Sequence, residues 1–170
     1  MKLTLISYLT VLNDDFEEIA LRARPTPLHQ FRRCQGRAGF FDAIAQAAVR
    51  RQSITRLDIQ GHGSPGGMNI GEELLVRLPR AEHWEELLLL LPFLAEGAEV
   101  RLLACHAGAG PPGRELVDGL AALWAERRIT VLAATGRISC QQFGPDGFLP
   151  LHETLLRQSD PSSGVRRGAV

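Results

Sequence analysis

A chain of 170 residues, 45% hydrophobic and 22% charged, has the length of one domain and the balance of an ordinary folded protein, which excludes wholesale disorder and a membrane protein. Lysine plus arginine equals aspartate plus glutamate, 19 against 19, so net charge makes no case for a nucleic-acid partner. The three cysteines, Cys34, Cys105 and Cys140, form neither a C-x-x-C pair nor a disulfide framework; a reducing, cytoplasmic setting is expected, with export by a signal-independent route still open.

Lys2 to Leu12 is rich in Leu, Ile, Thr, Val and Tyr and reads as a first strand. A signal peptide is disfavoured, because acidic residues follow where a small-residue cleavage site belongs. Asp14 to Arg22 is expected as a short helix capped by Asn13. Arg22 to Gly39, with its prolines and scattered arginines, reads as an irregular connection. From Phe40 the spacing of Phe41, Ile44, Ala45 and Ala48 predicts an amphipathic helix, and Ile54 to Gln60 has the β-branched content of a strand. "GHGSPGG" breaks that strand. "MNIGEELLVRL" then predicts a small hairpin turning near Gly71 and standing apart from the main sheet.

Ala81 to Gly97 is expected as a helix that begins at His83 and Trp84 and buries its leucine run, which ends at Pro92 and is too short to cross a bilayer. Ala98 to Ala104 predicts another strand, and Gly113 to Arg128 a helix with Leu116, Leu120, Leu123 and Trp124 on one stripe. Ile129 to Thr135 predicts a further strand, while Phe148 to Leu156 fits strand or helix equally. His29 and His152 read as surface groups, and Cys34 and Cys140 as structural or incidental. Alternating strands and helices imply an α/β fold with a mostly parallel sheet, spanning residues 1–158, followed by a flexible tail over 159–170.

In a parallel sheet the loops leaving successive strands emerge together at the carboxyl edge, where ligands bind. His62 follows one predicted strand, and Cys105 follows the next long one 43 residues later. If those strands are neighbours, about 4.8 Å apart, imidazole and thiol reach the same small volume. That pairing is the chemistry of a cysteine hydrolase: a thiolate attacks a carbonyl, an imidazolium protonates the leaving amine, and water releases the acyl-enzyme. Gly61 and Gly63 clear the approach to His62, and the backbone amides of Gly63 and Cys105 are candidates for an oxyanion hole. Thr135 and Arg137, beyond the following strand, are candidates for a specificity pocket, with Arg137 favouring an acidic side chain before the scissile bond.

Gly108, Gly110 and Gly113 satisfy G-x-G-x-x-G, which offers an NAD(P)-binding alternative. Against it, no Asp or Glu follows the next strand to hold a ribose, and Pro111 and Pro112 remove amide donors from the loop. Cys105, His106 and His62 offer metal-ligand types but lack a fourth member, so neither metal nor cofactor is expected. No G-x-S-x-G elbow supports serine esterase chemistry.

"ITRLDIQGHGSPGGMNIG" followed by "AEVRLLACHAGAG" resembles the caspase-like cysteine peptidases, a group that includes caspases, gingipains, separase and bacterial domains of the same layout. There an apolar strand ends in His-Gly and a later one in Ala-Cys. The likeness covers about Ile54 to Thr135. It implies a three-layer fold, a mostly parallel sheet flanked by helices, with Cys105 as nucleophile, His62 as base and acid, and the Gly63 and Cys105 amides as oxyanion hole. The partner it implies is a protein or peptide substrate, without nucleic acid or membrane. Caspases proper place Gln before Ala-Cys, whereas Leu103 stands here. A caspase-like interaction module that turns over no substrate is the alternative of a different class.

Overall fold

The computed structural model describes residues 8–13, 16–48, 53–79 and 83–161. In chain order the elements are β1 (Tyr8–Asn13), α1 (Glu17–Arg22), β2 (His29–Cys34), α2 (Gly36–Ala47), β3 (Ile54–Gln60), β4 (His62–Ser64), β5 (Gly67–Ile70) and β6 (Glu73–Arg77). They continue with α3 (His83–Glu86), β7 (Leu94–Leu103), α4 (Gly110–Leu123), β8 (Thr130–Ala134), β9 (Phe143–Gly144), β10 (Gly147–Phe148) and β11 (Leu156–Gln158).

Six strands form the central sheet in the order β11-β8-β7-β3-β1-β2. All neighbouring pairs are parallel except β11 with β8. Alternation along the buried strands sorts their side chains onto two faces. Leu9, Val11, Leu57, Ile59, Val100, Leu102, Val131 and Ala133 join Phe40 and Ile44 of α2 and Leu116 and Leu120 of α4 in the main core. The other face carries Leu12 and Leu103, which pack with Ile19 of α1 and with Phe143 and Phe148 of β9 and β10. The fold is therefore α/β, a mostly parallel sheet flanked by helices. The β5–β6 hairpin stands apart from the main sheet, as its sequence predicts, and it gains a third strand, β4, where the sequence was read only as a break.

Beside Leu12 and Leu103, the second face buries polar groups. Asp58 and Arg101 are register partners on β3 and β7, and the guanidinium donates to both carboxylate oxygens at 2.6 and 2.7 Å. Asp58 is 0% and Arg101 2% exposed. Arg101 also reaches Glu153, on a 3-10 turn over Pro150–Leu155, at 3.0 Å. His29 pairs with Thr10 across β1 and β2, its Nε2 2.8 Å from the threonine hydroxyl.

Several local expectations need correcting. Arg22 to Gly39 is not an irregular connection, since it contains β2 and the start of α2. α1 begins at Glu17 after Phe16, with no side-chain cap; Asp14 lies outside the described residues. The buried stripe of α2 is Phe40, Ala43, Ile44 and Ala47, so Ala45 faces solvent and Phe41 only flanks the core. The leucine run is a 3-10 turn over Leu87–Leu90 after a four-residue α3, which buries Leu87 and Leu90 and leaves Leu88 and Leu89 outside. With three residues per turn, positions i and i+3 share a face. His29 is buried, not a surface group. The segment left open resolves into the 3-10 turn followed by β11. Of the expected tail, Ser159 is buried and its hydroxyl accepts from the Val131 amide; residues 162–170 lie outside the description.

Candidate functional site

β3 and β7 are neighbours, and Gln60 stands opposite Leu103 at their carboxyl ends. His62 and Cys105 each lie two residues farther along. Both therefore follow the carboxyl ends of adjacent parallel strands. Their surroundings agree. The His62 ring packs against Phe16 with centroids 5.0 Å apart, while the Cys105 sulfur lies 3.3 Å from the Ile138 amide nitrogen and 3.6 Å from its carbonyl oxygen. Phe16 and Ile138 both pack on the small cluster of Leu12, Leu103, Phe143 and Phe148, so both side chains are approached from the same face of the sheet.

The backbone between them is tight. A Cβ at Gly63 would sit 2.7 Å from the Cys105 carbonyl oxygen and 2.8 Å from the Ala104 Cβ, so only glycine lets β4 lie this close to the Cys105 loop. The Gly66 amide in the β4–β5 turn donates to the Ala107 carbonyl at 3.1 Å. No backbone carbonyl among the described residues accepts from the Cys105 amide, which stays available for a ligand. Cys105 is half-buried and His62 exposed, so both are within reach of a molecule at the rim.

Two clamps position these parts. Arg37 of α2 donates to the carbonyls of Leu74 at 3.0 Å, Leu75 at 2.5 Å and His83 at 2.8 Å, and its own backbone amide donates to Glu73 at 2.6 Å. The Glu73 carboxylate thus sits at the α2 N-terminus, where helix amides favour an anion, and the hairpin sheet is bolted to the main body. On the other side, Arg22 donates to the Cys140 carbonyl and the Arg24 amide to the Pro145 carbonyl, at 2.8 and 2.9 Å. The Cys140 thiol donates to Glu18 at 2.8 Å, and that hydrogen bond to a carboxylate pushes the thiol up from its ordinary value. These contacts hold α1, and with it Phe16, against the segment after β8.

The glycine loop is not built as a pyrophosphate cradle. The amides of His106, Gly108 and Ala109 donate to the carbonyls of Gly136, Ala134 and His106 at 2.8 to 2.9 Å, and those of Ala107 and Gly113 are likewise taken within the protein. Pro111 and Pro112 have none. The glycines answer to packing instead: a Cβ at Gly113 would lie 1.9 Å from the Gly108 carbonyl carbon, and one at Gly108 2.5 Å from the Ala133 carbonyl oxygen.

Of the candidate specificity residues, Thr135 commits both its amide and its hydroxyl to the Leu155 carbonyl at 2.8 Å, which makes it an anchor for the 3-10 turn. Arg137 is exposed beside the rim. Sequence reasoning missed Phe16, Ile138 and Asn69. The first two come from distant segments and carry no local signal. Asn69 stands opposite His62 in the hairpin sheet, a pairing legible only once His62–Ser64 is recognised as a strand. Among the described residues no three His, Cys, Asp or Glu side chains gather as a metal site, and no helix is long and apolar enough to cross a membrane.

Residues 20–159 match the family model described as "Domain of unknown function (DUF4347)", and the chain belongs to that family. No curated protein and no solved structure matches it.

Proposed function

We propose that this chain is a cysteine endopeptidase of the caspase-like kind, with Cys105 as nucleophile, His62 as proton carrier and a protein or peptide as substrate. One observation supports the reading: β3 and β7 are parallel neighbours whose carboxyl ends, Gln60 and Leu103, stand opposite each other two residues before His62 and Cys105.

His62 takes the proton of Cys105, and the sulfur attacks the scissile carbonyl carbon. As the C–S bond forms, the carbonyl π electrons move to oxygen, and the amides of Gly63 and Cys105 donate to that oxyanion. The Ile138 amide is a donor to the sulfur before attack. Collapse of the tetrahedral intermediate breaks the C–N bond, and the departing amine takes its proton from the His62 imidazolium. Water, losing a proton to His62, attacks the thioester; the acid leaves, and the thiolate recovers that proton. No cofactor is required. Arg137 at the rim favours an acidic residue before the scissile bond.

The test compares wild type with Cys105→Ala and His62→Ala on a mixed peptide pool and for self-cleavage. Wild type is expected to cleave, and each variant to lose at least about 10³-fold, the scale on which nucleophile and base act as a unit. An intact pool with wild type, or equal cleavage by Cys105→Ala, refutes the proposal. Electrophile labelling of Cys105 at the rate of a free thiol, unchanged by His62→Ala, identifies a non-catalytic interaction module instead.

A further inference from the structure

Both hydrogen-bond partners of the Cys105 sulfur among the described residues belong to the backbone of Ile138: the amide donates to it at 3.3 Å, and the carbonyl oxygen, at 3.6 Å, accepts its hydrogen. His62 is not one of them. A carbonyl oxygen accepts and never donates, so this second contact exists only while the sulfur keeps its hydrogen, and a thiol becomes a nucleophile by losing it. Ile138 lies in a strap, residues 137–142, between two fixed points. Before it, the Gly136 carbonyl accepts from the His106 amide at 2.9 Å; after it, Phe143 is 2% exposed. Ser139 and Gln142 bond to each other within the strap. The strap is tied to α1 at Cys140, whose carbonyl accepts from Arg22 and whose thiol donates to Glu18, both at 2.8 Å and both at the exposed surface. α1 begins directly after Phe16, which packs on the His62 ring. One latch therefore joins the residue that lies on the imidazole to the residue that holds the sulfur.

We propose that α1 and the strap 137–142 form a latched cover over His62 and Cys105, closed in this structure, which opens at Cys140 before the thiol reacts. Closed, the Ile138 carbonyl holds the sulfur's hydrogen and Phe16 holds the His62 ring. Open, the strap swings between Gly136 and Phe143, and the hydrogen is released to a base. The construction suits a small movement. The latch consists of hydrogen bonds that water can replace, each shifting a local equilibrium by about two- to tenfold, while β3, β7 and β8 stay paired beneath it. Segments held by exposed hydrogen bonds are those that open without global unfolding. As the resting state of an enzyme the cover rests on the peptidase reading; as a restraint on a thiol it is tested without it.

The experiment measures Cys105 alkylation by iodoacetamide in wild type, Arg22→Met, Cys140→Ala and the double variant, scored by peptide mass spectrometry so that Cys34 and Cys140 are counted separately. Each protein is labelled at several urea concentrations below its transition and has its melting curve recorded. Expected is labelling of Cys105 at least about fivefold faster in the double variant, with the single variants between, at unchanged melting temperature and at a rate nearly independent of urea, the mark of an opening that exposes little surface. Wild-type rates in all three variants overturn the proposal. So does an acceleration that climbs steeply with urea, because the thiol is then reached by global unfolding. Should the double variant not fold, amide hydrogen exchange of the wild-type chain decides: the Ile138 and Gln142 amides are expected to exchange at least about tenfold faster than those of β8, and equal protection refutes the latch. Faster labelling in the double variant, with no cleavage of a peptide pool by any of the four proteins, upholds the cover and sinks the peptidase reading. Cleavage by wild type, beside a double variant labelled no faster, does the reverse.

Discussion

Replacing Arg101 by methionine is the most informative perturbation of the fold, because Asp58 and Arg101 join the two strands that carry His62 and Cys105. The guanidinium makes two buried charge-assisted hydrogen bonds to Asp58 and one to the half-exposed Glu153. Arg101→Met strands a carboxylate that is 0% exposed, and removing one member of a buried pair costs about 3–5 kcal/mol. A domain of this size is stable by roughly 5–15 kcal/mol, so the change consumes a large share and lowers the melting temperature by about 10 °C. Asp58→Leu combined with Arg101→Met removes both charges and substitutes packed hydrocarbon, which brings stability back to within about 1 kcal/mol of wild type or above it. Glu153 loses little in either case because water reaches it. Urea denaturation of wild type, both single variants and the double variant supplies the cycle. A double variant that loses the sum of the single effects, or singles within about 1 kcal/mol of wild type, refutes the account of the pair as a mutual dependence.

Burial of His29 holds its pKa down to about 4, below the 6.5 it takes when unfolded; as pH falls the unfolded chain binds the proton first, so stability is intact above 6.5 and is lost between 6.5 and 4. Moving from pH 7 to pH 5 is expected to cost about 2 kcal/mol in wild type and to lose that component in His29→Gln; parallel urea-midpoint curves for the two proteins contradict it. Gly113→Ala forces a Cβ to 1.9 Å from the Gly108 carbon, backbone against backbone, and is expected to cost about 3 kcal/mol or prevent folding, whereas Gly136→Ala, with open space around it, is far milder in thermal denaturation. Arg37→Met leaves the carbonyls of Leu74, Leu75 and His83 without their donor; amide exchange across 62–77 is expected to accelerate at least tenfold while β7 and β8 stay protected, and uniform acceleration of the whole sheet rules out a hairpin clamp.

The adjacency of β3 and β7, the strands that precede His62 and Cys105, was legible because it depends on topology. Strand, helix and strand in alternation imply parallel neighbours, and parallel neighbours send their following residues to one edge. What depended on tertiary context was not legible. β2, "HQFRRC", follows two prolines and sits at the sheet edge, where partial exposure of its middle residues erases the period-two pattern. The burial of His29 comes from Thr10 and Phe31, which a linear reading does not place beside it. The glycine spacing of 108, 110 and 113 imitates a phosphate loop because both needs are the same: a backbone that passes very close to something. Here that something is the protein's own helix and strand.

The ties around Cys105 also have a temporal side. Its sulfur is met by Ile138, and the loop that follows it is fastened to Ala134 and Gly136, all more than 28 residues downstream. Those partners leave the ribosome after the thiol itself, and domains fold as units once enough chain is present. The thiol's surroundings are thus completed only after the downstream segment has emerged and packed.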